Sequence, residues 1–388
     1  MKKISLMLIC LTLLLSACGN ETREPEETDL LVTTAETLSK NVEEPDDDTV
    51  YPWLDLAEFA EESYRPADVI PAGGNSVIVT FESDNKSDGF DTAEYADYIS
   101  CIDMTKKKEL YRLNAPVNES SFKFYNNYNS GKKSVCAVLK SVGEDNAVKS
   151  TSLIEFSPDG EYKLTKDLGE KDIVYSWGER AVSDYYGSIS NALDGSIIMQ
   201  AEKTIGTEVE EITFYRFSMP LDENRFLYQI YRIEGDQWID GVGMYDLGQD
   251  SSAVIQNSRD SDILGVHNGN IFTVMTNAET TVYVTDAENL ENKVLCGSPF
   301  ELGQNDHINF NMPESGDYFS AYKKTASMNS PLKFIPAEFA LLSSDTGKII
   351  KTYSFGTEFE FCADPFFTDS YIFFFDYETE IISAVKRP

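Results

Sequence analysis

Short runs of β-branched and aromatic residues, separated by turns rich in Asp, Asn and Gly, recur along most of the chain. In the clearest version an apolar run ends at an Asp-led turn, and a second run follows the turn. This version occurs at Tyr98–Asp103, Ser152–Phe156, Val242–Leu247, Thr281–Asp286, Phe339–Gly347 and Tyr371–Asp376. Runs of this length and composition between turn residues predict β-strands joined as hairpins.

A further apolar run precedes many of these hairpins. These runs are Val77–Phe81, Val135–Leu139, Ile197–Met199, Phe226–Tyr231 and Ile271–Met275. A unit of roughly 40–50 residues made of short antiparallel strands predicts an all-β fold, a β-propeller of about seven irregular four-stranded blades. Six or eight blades, and a pair of β-sandwich domains, are the alternatives. One copy is missing between Asp159 and Asp246, and we expect Ile212–Phe217 to occupy its place.

The turn sequences add a family resemblance to this pattern. Hairpins with Asp-x-x-x-Gly or Asp-x-x-x-Lys in the turn resemble the outer strands of secreted bacterial propellers, and Tyr283-Val284-Thr285-Asp286 is similar to the Tyr-Trp-Thr-Asp repeat. The last unit, Phe355–Arg387, is shorter than the others. Closed propellers often complete such a blade with a strand from the other terminus, so we expect Tyr64–Ile70 to supply it.

The N-terminus carries the most specific sequence signal. Lys2 and Lys3 precede an apolar run, Ile4–Leu14, which ends at Leu15-Ser16-Ala17-Cys18. A basic start, a short apolar core and small residues form a secretory signal. The last four residues resemble the lipobox of bacterial lipoproteins. This resemblance implies removal of residues 1–17, diacylation of Cys18 and attachment to the extracytoplasmic face of the cell membrane.

The alternative for this segment is a transmembrane helix. A bilayer core needs about 20 apolar residues, and the N-terminal run is shorter and lacks a basic stop-transfer flank. Residues 18–49 are rich in Glu, Asp and Thr and almost free of aromatic residues, which predicts a disordered acidic linker. We therefore expect the propeller at residues 50–388, with a short helix near Leu54–Ala60.

The charge of the chain restricts its partners. The 388 residues carry a formal net charge of −34, and 41% of them are hydrophobic. Nucleic-acid binding needs clustered Lys and Arg, so this composition argues against a nucleic-acid partner. Four cysteines lie in the predicted propeller, without the spacing of a disulfide framework or a metal site. We expect Cys101, Cys136, Cys296 and Cys362 to be buried free thiols.

Sequence motifs for catalysis, cofactors and metals are absent. The chain has two histidines, His267 and His307, no Gly-x-Ser-x-Gly elbow and no glycine-rich phosphate loop. Residues 84–89 (Asp84-Asn85-Lys86-Ser87-Asp88-Gly89) are similar to a calcium loop, but Lys86 stands where an oxygen ligand is required. We therefore predict no catalytic, cofactor-binding or metal-binding residue.

Aromatic residues are the remaining candidates for recognition. Trp177, Tyr185 and Tyr186 lie in a segment that we expect to be a loop between blades, and Trp238 lies in a second turn-like stretch. Such residues can stack on sugars or anchor a protein, although filling space between blades is the alternative. The sequence therefore predicts a membrane-anchored, non-catalytic binding or scaffold module for an envelope protein or glycan. The alternatives are a glycan-cleaving enzyme with a carboxylate pair and a substrate-binding lipoprotein of a transporter.

Overall fold

The structure is a computed structural model. It describes residues 32–33, 48–83, 98–114, 135–142, 148–156, 162–167, 175–177, 180–185, 187–191, 194–205, 210–234, 237–257, 261–276, 279–313, 316–327, 334–356 and 364–388. For part of these, including most of 135–181, it describes the backbone alone. No helix in these ranges has the length and apolar character needed to span a membrane.

The described residues form antiparallel sheets that follow one another along the chain, here called sheets 1 to 7. The N-terminal elements are β1 (Val32–Thr33), β2 (Thr49–Asp55) and a 3-10 helix (Leu56–Phe59). Sheet 1 contains β3 (Tyr64–Gly73), β4 (Ser76–Ser83), β5 (Tyr98–Asp103) and β6 (Lys108–Asn114), with β1 on the edge of β6. Sheet 2 contains β7 (Val135–Val142), β8 (Val148–Phe156) and β9 (Tyr162–Asp167).

The middle of the chain forms three further sheets of the same up-and-down type. Sheet 3 contains β10 (Tyr175–Trp177), β11 (Arg180–Tyr185), β12 (Ser188–Asn191) and β13 (Ile197–Met199). Sheet 4 contains β14 (Glu202–Ile205), β15 (Glu210–Pro220), β16 (Arg225–Glu234), β17 (Gln237–Asp246) and β18 (Ser251–Asn257). Sheet 5 contains β19 (Ser261–His267), β20 (Asn270–Thr276), β21 (Thr280–Asp286) and β22 (Asn292–Cys296).

The C-terminal part forms two sheets and closes the fold. Sheet 6 contains β23 (Asp306–Asn311), β24 (Tyr318–Ala326), β25 (Phe334–Ser343) and β26 (Ile349–Phe355). Sheet 7 contains β27 (Phe366–Phe367), β28 (Tyr371–Asp376) and β29 (Ile381–Lys386), and β2 is its fourth strand. Sheets 6 and 7 are joined where the start of β2 pairs in parallel with the end of β26.

Sheet 7 shows why this arrangement is a propeller. Successive side chains of a strand point to opposite faces, and all six residues of β28 are buried. Tyr371, Phe373 and Phe375 pack into one core with residues of sheet 1. Ile372 and Phe374 pack into another core with residues of sheet 6. Because the last sheet is buried between the first and the sixth, the sheets form a closed ring, and the predicted all-β propeller with seven sheets is confirmed.

The Asp-led turns have a local physical cause. The carboxylate of Asp103 accepts hydrogen bonds from the backbone N–H groups of Thr105 and Lys106, each at 3.0 Å. Asp246 and Asp376 make the same kind of contact with the turns that follow them. An Asp side chain that satisfies the turn's own donors favours a tight reversal after the strand. This explains why the hairpin signal is readable in the sequence.

Two expectations about the organisation of the sheets are wrong in detail. The last blade is completed by an N-terminal strand, but this strand is Thr49–Asp55 rather than Tyr64–Ile70, which belongs to β3 in sheet 1. Ile212–Phe217 is not a separate hairpin copy, because it lies within β15 of sheet 4. The structure places sheet 3 in the gap instead. Its strands are only three to six residues long, which explains their weak signal in the sequence.

The N-terminal region differs from the simplest expectation in two further places. Val32–Thr33, within the segment expected to be a linker, pairs antiparallel with Leu113 and Arg112 at the edge of sheet 1. The expected helix near Leu54–Ala60 is a single 3-10 turn, Leu56–Phe59. The carboxylate of Asp55 caps this turn by accepting a hydrogen bond from the N–H of Ala57 at 3.0 Å.

Candidate ligand-binding cleft between sheets 4 and 5

Sheet 4 is built from two faces of different chemistry. Antiparallel pairing places Phe217 opposite Tyr228 and Phe226 opposite Tyr245 on one face. With Ile230 these side chains pack against Val182, Ile189 and Met199 of sheet 3 as an apolar core. We call this the sealed face. Burial raises the pKa of the Tyr228 hydroxyl to about 12.

The opposite face of sheet 4 looks towards sheet 5 and is apolar over only part of its area. Leu227, Val242 and Met244 pack there against Ile255 of the same sheet and Ile271 of sheet 5. Alternation then places polar residues on the same face, because Gln229 and Tyr231 lie two and four positions beyond Leu227. Cross-strand pairing adds Arg216 opposite Gln229, and Asp240 opposite Tyr231.

We call this polar end the cleft and define it by Arg216, Gln229, Tyr231 and Asp240 of sheet 4 together with Asp262 of sheet 5. Its side chains form a hydrogen-bonded chain. Arg216 donates to the hydroxyl of Tyr231, and that hydroxyl donates to Oε1 of Gln229. Nε2 of Gln229 donates to Oδ1 of Asp262 at 2.5 Å, across the boundary between the two sheets. This series of hydrogen bonds therefore fixes the orientation of side chains that belong to different sheets.

Asp262 is the residue of the cleft that interacts electrostatically with both Arg216 and Asp240. It lies on β19, the first strand of sheet 5, and its side chain is reached by solvent. Surrounding protein nevertheless removes much of its hydration, and this desolvation raises the pKa of its carboxyl. The backbone N–H of Ile263, the amide of Gln229 and the charge of Arg216 oppose the increase, whereas the charge of Asp240 adds to it. A carboxyl group with a raised pKa and specific polar partners is a candidate member of a functional site.

Asp240 contributes a carboxylate with an unused oxygen. Its Oδ1 is buried, and the described residues provide it with no hydrogen-bond partner. A buried acceptor without a donor costs free energy, so native structures usually satisfy such atoms with protein, water or ligand. The cleft therefore contains a buried acceptor for which the described residues supply no donor, next to the phenol of Tyr231. Desolvation also raises the pKa of that phenol, and Arg216 opposes the change.

A second carboxylate of the same kind lies elsewhere in the ring. Asp68 lies on β3, the first strand of sheet 1, and is solvent-exposed. Desolvation raises the pKa of its carboxyl, and a hydrogen bond from the N–H of Val69 at 2.8 Å opposes the change. The first strands of sheets 1 and 5, β3 and β19, thus each carry an exposed acidic residue whose carboxyl pKa is raised by desolvation.

The aromatic residues selected from the sequence lie in strands or outside the described part. Trp177 is the last residue of β10 and pairs with Arg180, and Tyr185 is the last residue of β11. Trp238 lies in β17 opposite Ile233, two positions before Asp240. The expectation that Trp177, Tyr185 and Trp238 lie in loops is therefore wrong. Their side chains and all of Tyr186 lie outside the described residues, so their role in binding stays a prediction.

The cysteines and histidines are distributed over several sheets. Cys101 is a buried free thiol whose pKa burial raises to about 12, as expected. Cys296 is a free thiol of intermediate exposure, with a pKa raised to about 11. The side chain of Cys136 and all of Cys362 lie outside the described residues. His267 ends β19, and the ring of His307 in β23 meets Phe334 edge-on at 4.9 Å.

The calcium-like loop is not part of the described structure, since 84–89 falls in a gap between described ranges. Within those ranges, no group of three or more His, Cys, Asp or Glu residues is arranged to hold a metal ion. The residues of the cleft were not predicted from the sequence. Their only sequence signal is the polar alternation of Arg216, Gln229 and Tyr231 within otherwise apolar strands, and this signal has no fixed spacing.

Comparison with known proteins finds similar solved structures at low sequence identity. No family model and no curated protein sequence matches the chain. Among solved structures, an oligogalacturonate lyase from Vibrio parahaemolyticus has a TM-score of 0.43 at 9% identity, covering 89% of this chain and 99% of the other. The Cps50 (Swd1) β-propeller domain from Myceliophteria thermophila has a TM-score of 0.41 at 11% identity, covering 83% and 99%. A Hadza microbial sialidase has a TM-score of 0.41 at 10% identity, covering 87% and 68%.

Proposed function

We propose that the protein is a lipoprotein, anchored through acylated Cys18 on the extracytoplasmic face of the cell membrane, whose propeller binds an envelope glycan or protein without converting it. The sequence Leu15-Ser16-Ala17-Cys18 supports the anchor. Two acyl chains hold a protein at a membrane more stably than one. The acidic linker and the charge of −34 are suited to holding the body away from anionic headgroups.

One observation carries the binding proposal: the cleft is a pre-ordered polar site in an otherwise apolar interface between sheets. Binding sites combine apolar walls with a few polar groups in fixed positions. Leu227, Val242 and Met244 form a buried apolar core directly next to the cleft and hold its strands in place. The Gln229 amide can donate and accept, and the two aspartates accept. Sugar hydroxyls also donate and accept, so a glycan matches these groups more closely than an apolar ligand would.

A binding experiment with the full-length chain in detergent tests this proposal. Fragments of bacterial envelope polysaccharides are presented on an array to the wild type and to Asp262→Asn, which keeps the shape of the side chain and removes its charge. We expect at least one glycan to be retained by the wild type and released by the variant, and its mass to be unchanged after prolonged incubation. Equal binding by both proteins would show that the cleft is not the binding site.

A matched control distinguishes the cleft from general charge effects. Glu223 lies exposed in the turn between β15 and β16, away from the cleft, and Glu223→Gln removes the same single charge from sheet 4. This variant should bind as the wild type does. The anchor is tested separately by metabolic labelling with an alkyne fatty acid, which should mark the wild type and leave Cys18→Ala unlabelled.

A second function has one specific observation in its favour. The charge of Asp240 contributes to the raised pKa of Asp262, so the two carboxylates interact. A pair in which one carboxyl holds its proton to higher pH is the requirement for glycoside hydrolysis. Under this hypothesis Asp262 is the general acid and Asp240 the second carboxylate. Cleavage of an array glycan by the wild type, lost in Asp262→Asn, would replace the binding proposal with the enzymatic one.

A further inference from the structure

The acidic linker is attached to the propeller at two places. It contains one run of three consecutive apolar residues, Leu30–Val32, in an otherwise polar sequence. Val and Thr favour extended strands, and β1 at the end of this run pairs antiparallel with β6, with Val32 opposite Leu113 and Thr33 opposite Arg112. The second attachment is β2, the fourth strand of sheet 7. Both attachments therefore lie at the outer edges of neighbouring sheets.

Arg112 connects the two attachments. Its guanidinium donates to Oε1 of Glu61 at 2.6 Å and to the carbonyl oxygen of Phe59 at 2.8 Å, and both residues follow β2 in the chain. It also donates to Oε1 of Glu109 on its own strand at 2.8 Å. Its Cζ lies 4.6 Å from the centre of the Tyr98 ring. The outer edge of β6 is therefore fixed relative to the segment after β2, and β1 adds to a well-defined strand edge.

The covalent connection to β2 explains why two paired residues suffice for docking. An outer strand presents N–H and C=O groups that can pair with other chains, and proteins commonly cover such edges. A separate short peptide would lose its translational and rotational freedom on binding. β1 lies about 16 residues before β2, and a connection of this length gives a local concentration in the millimolar range. Docking of the chain's own linker is thus favoured over a strand from another chain.

Docking of β1 shortens the tether between the expected anchor and the propeller. About 14 residues separate Cys18 from β1, and about 31 separate it from β2. A fully extended chain spans at most about 3.6 Å per residue, so the limit of reach is about 50 Å with β1 docked and about 110 Å without it. The docked state also fixes where the tether leaves the ring, namely at the outer edge of sheet 1.

We propose that β1 is a strap that turns the outer edge of sheet 1 towards the membrane and limits how far the propeller reaches from it. This inference rests on the proposed function, because it needs acylated Cys18 as the anchor. The sheets follow one another around a ring of seven, so sheets 4 and 5 lie farthest from sheet 1. The strap thereby turns the cleft between sheets 4 and 5 away from the membrane.

Amide hydrogen exchange of the full-length Cys18→Ala chain in detergent tests the docking of β1 without the lipid. We expect the peptide with Val32 and Thr33 to exchange at least about threefold more slowly than an unstructured chain of the same sequence. The β1 double variant, Val32→Pro with Thr33→Pro, removes both N–H groups of β1, so the β6 peptide should exchange faster. The control double variant, Asn41→Pro with Val42→Pro, changes the same linker outside β1 and should leave β6 unchanged. Unprotected β1, or no effect of the β1 double variant on β6, overturns the strap.

Neutron reflectometry of the acylated protein on a supported bilayer tests the effect on reach, since it measures the water layer between the bilayer and the propeller. We expect this layer to be about 10 Å thicker for the β1 double variant than for the wild type, and unchanged for the control double variant. Equal layers for all three proteins overturn the strap, even where β1 exchanges slowly. Absence of fatty-acid labelling at Cys18 in the wild type overturns the anchor and the strap together, and so separates failure of the proposed function from failure of the strap alone.

Discussion

The two faces of sheet 4 are made by the same strands and differ in nearly every property. On the sealed face Phe226 and Tyr228 are buried against sheet 3. On the face towards sheet 5, Gln229 and Tyr231 alternate with them and form the hydrogen-bonded cleft. A period of two along a strand is sufficient to produce both faces. The sealed face therefore stabilises the fold, whereas the other face carries the polar side chains of the cleft.

The comparison also shows how stability and function are separated in this fold. Stacked sheets bury each other's faces, so most interfaces between sheets must be apolar for the ring to close. The interface of sheets 6 and 7, with Phe339, Ile372 and Phe374, follows this rule. Among the described residues, the interface of sheets 4 and 5 departs from it where Gln229 meets Asp262. A polar group that adds little to stability indicates that the site has another role.

Truncating the sealed face should have the largest effect. Phe226 is fully buried and its ring lies 5.3 Å from that of Phe217. Phe226→Ala removes that burial and leaves a cavity, so we expect a loss of about 3–5 kcal/mol in the free energy of unfolding. Gln229→Ala, on the other face, should cost about 1 kcal/mol. Urea denaturation measures both, and equal losses would contradict the assignment of the two faces.

A glycine on the sealed face should show an intermediate effect. Gly243 pairs with Tyr228, and a Cβ at this position would overlap the tyrosine ring. Gly243→Ala should therefore cost about 1–3 kcal/mol through strain in a packed core. At Gly297 a Cβ meets no atom within 4 Å, so Gly297→Ala is the matched control. It should change stability by about 0.5 kcal/mol or less, as measured by the same denaturation experiment.

The pH dependence of the cleft should give the smallest effect, because Asp262 is accessible to solvent and its charge is screened. Its pKa in the folded state lies above the ordinary value of 3.8, so the folded protein holds the proton more tightly than the unfolded chain. The Asp262 contribution to stability is therefore largest below that value and decreases as the pH rises through the folded pKa. Relative to the wild type, Asp262→Asn should gain stability over this interval, as measured by melting temperatures from pH 3 to 8.

The opposite trend would show that the folded state favours the ionised carboxylate. Glu223→Gln is again the matched control, since it changes one acidic group outside the cleft. Its melting temperature should follow the wild-type curve over the same pH interval.

Much of the fold could be predicted from the sequence because its signals are local. Several turns contain an Asp whose carboxylate accepts hydrogen bonds from the N–H groups of the same turn, as at Asp103, Asp246 and Asp376. A hairpin can therefore be predicted wherever such an Asp follows an apolar run. The closing strand could not be placed in the same way. Its pairing of Leu54 with Ile382 spans nearly the whole chain, and no local pattern distinguishes it from β3.

The cleft was less predictable than the fold for the same reason. Gln229 and Asp262 are brought together by packing between two sheets, which depends on the ring and not on the sequence around either residue. Aromatic residues such as Trp238 attract attention because their residue type is rare. Two positions later, Asp240 is one of 66 acidic residues in the chain, and nothing in its neighbourhood marks it. Asp240 becomes a candidate through its buried carboxylate oxygen, for which the described residues provide no hydrogen-bond partner.

The most direct test of the cleft is carboxylate footprinting of the full-length chain, once in native membranes and once after purification. Carbodiimide coupling followed by peptide mass spectrometry measures how readily Asp262 reacts in each state. We predict that Asp262 is modified in the purified protein and protected in the membranes where its ligand is present, while Glu223 reacts equally in both. Equal modification of Asp262 in both states, or no modification in either, would contradict a ligand-binding role for the cleft.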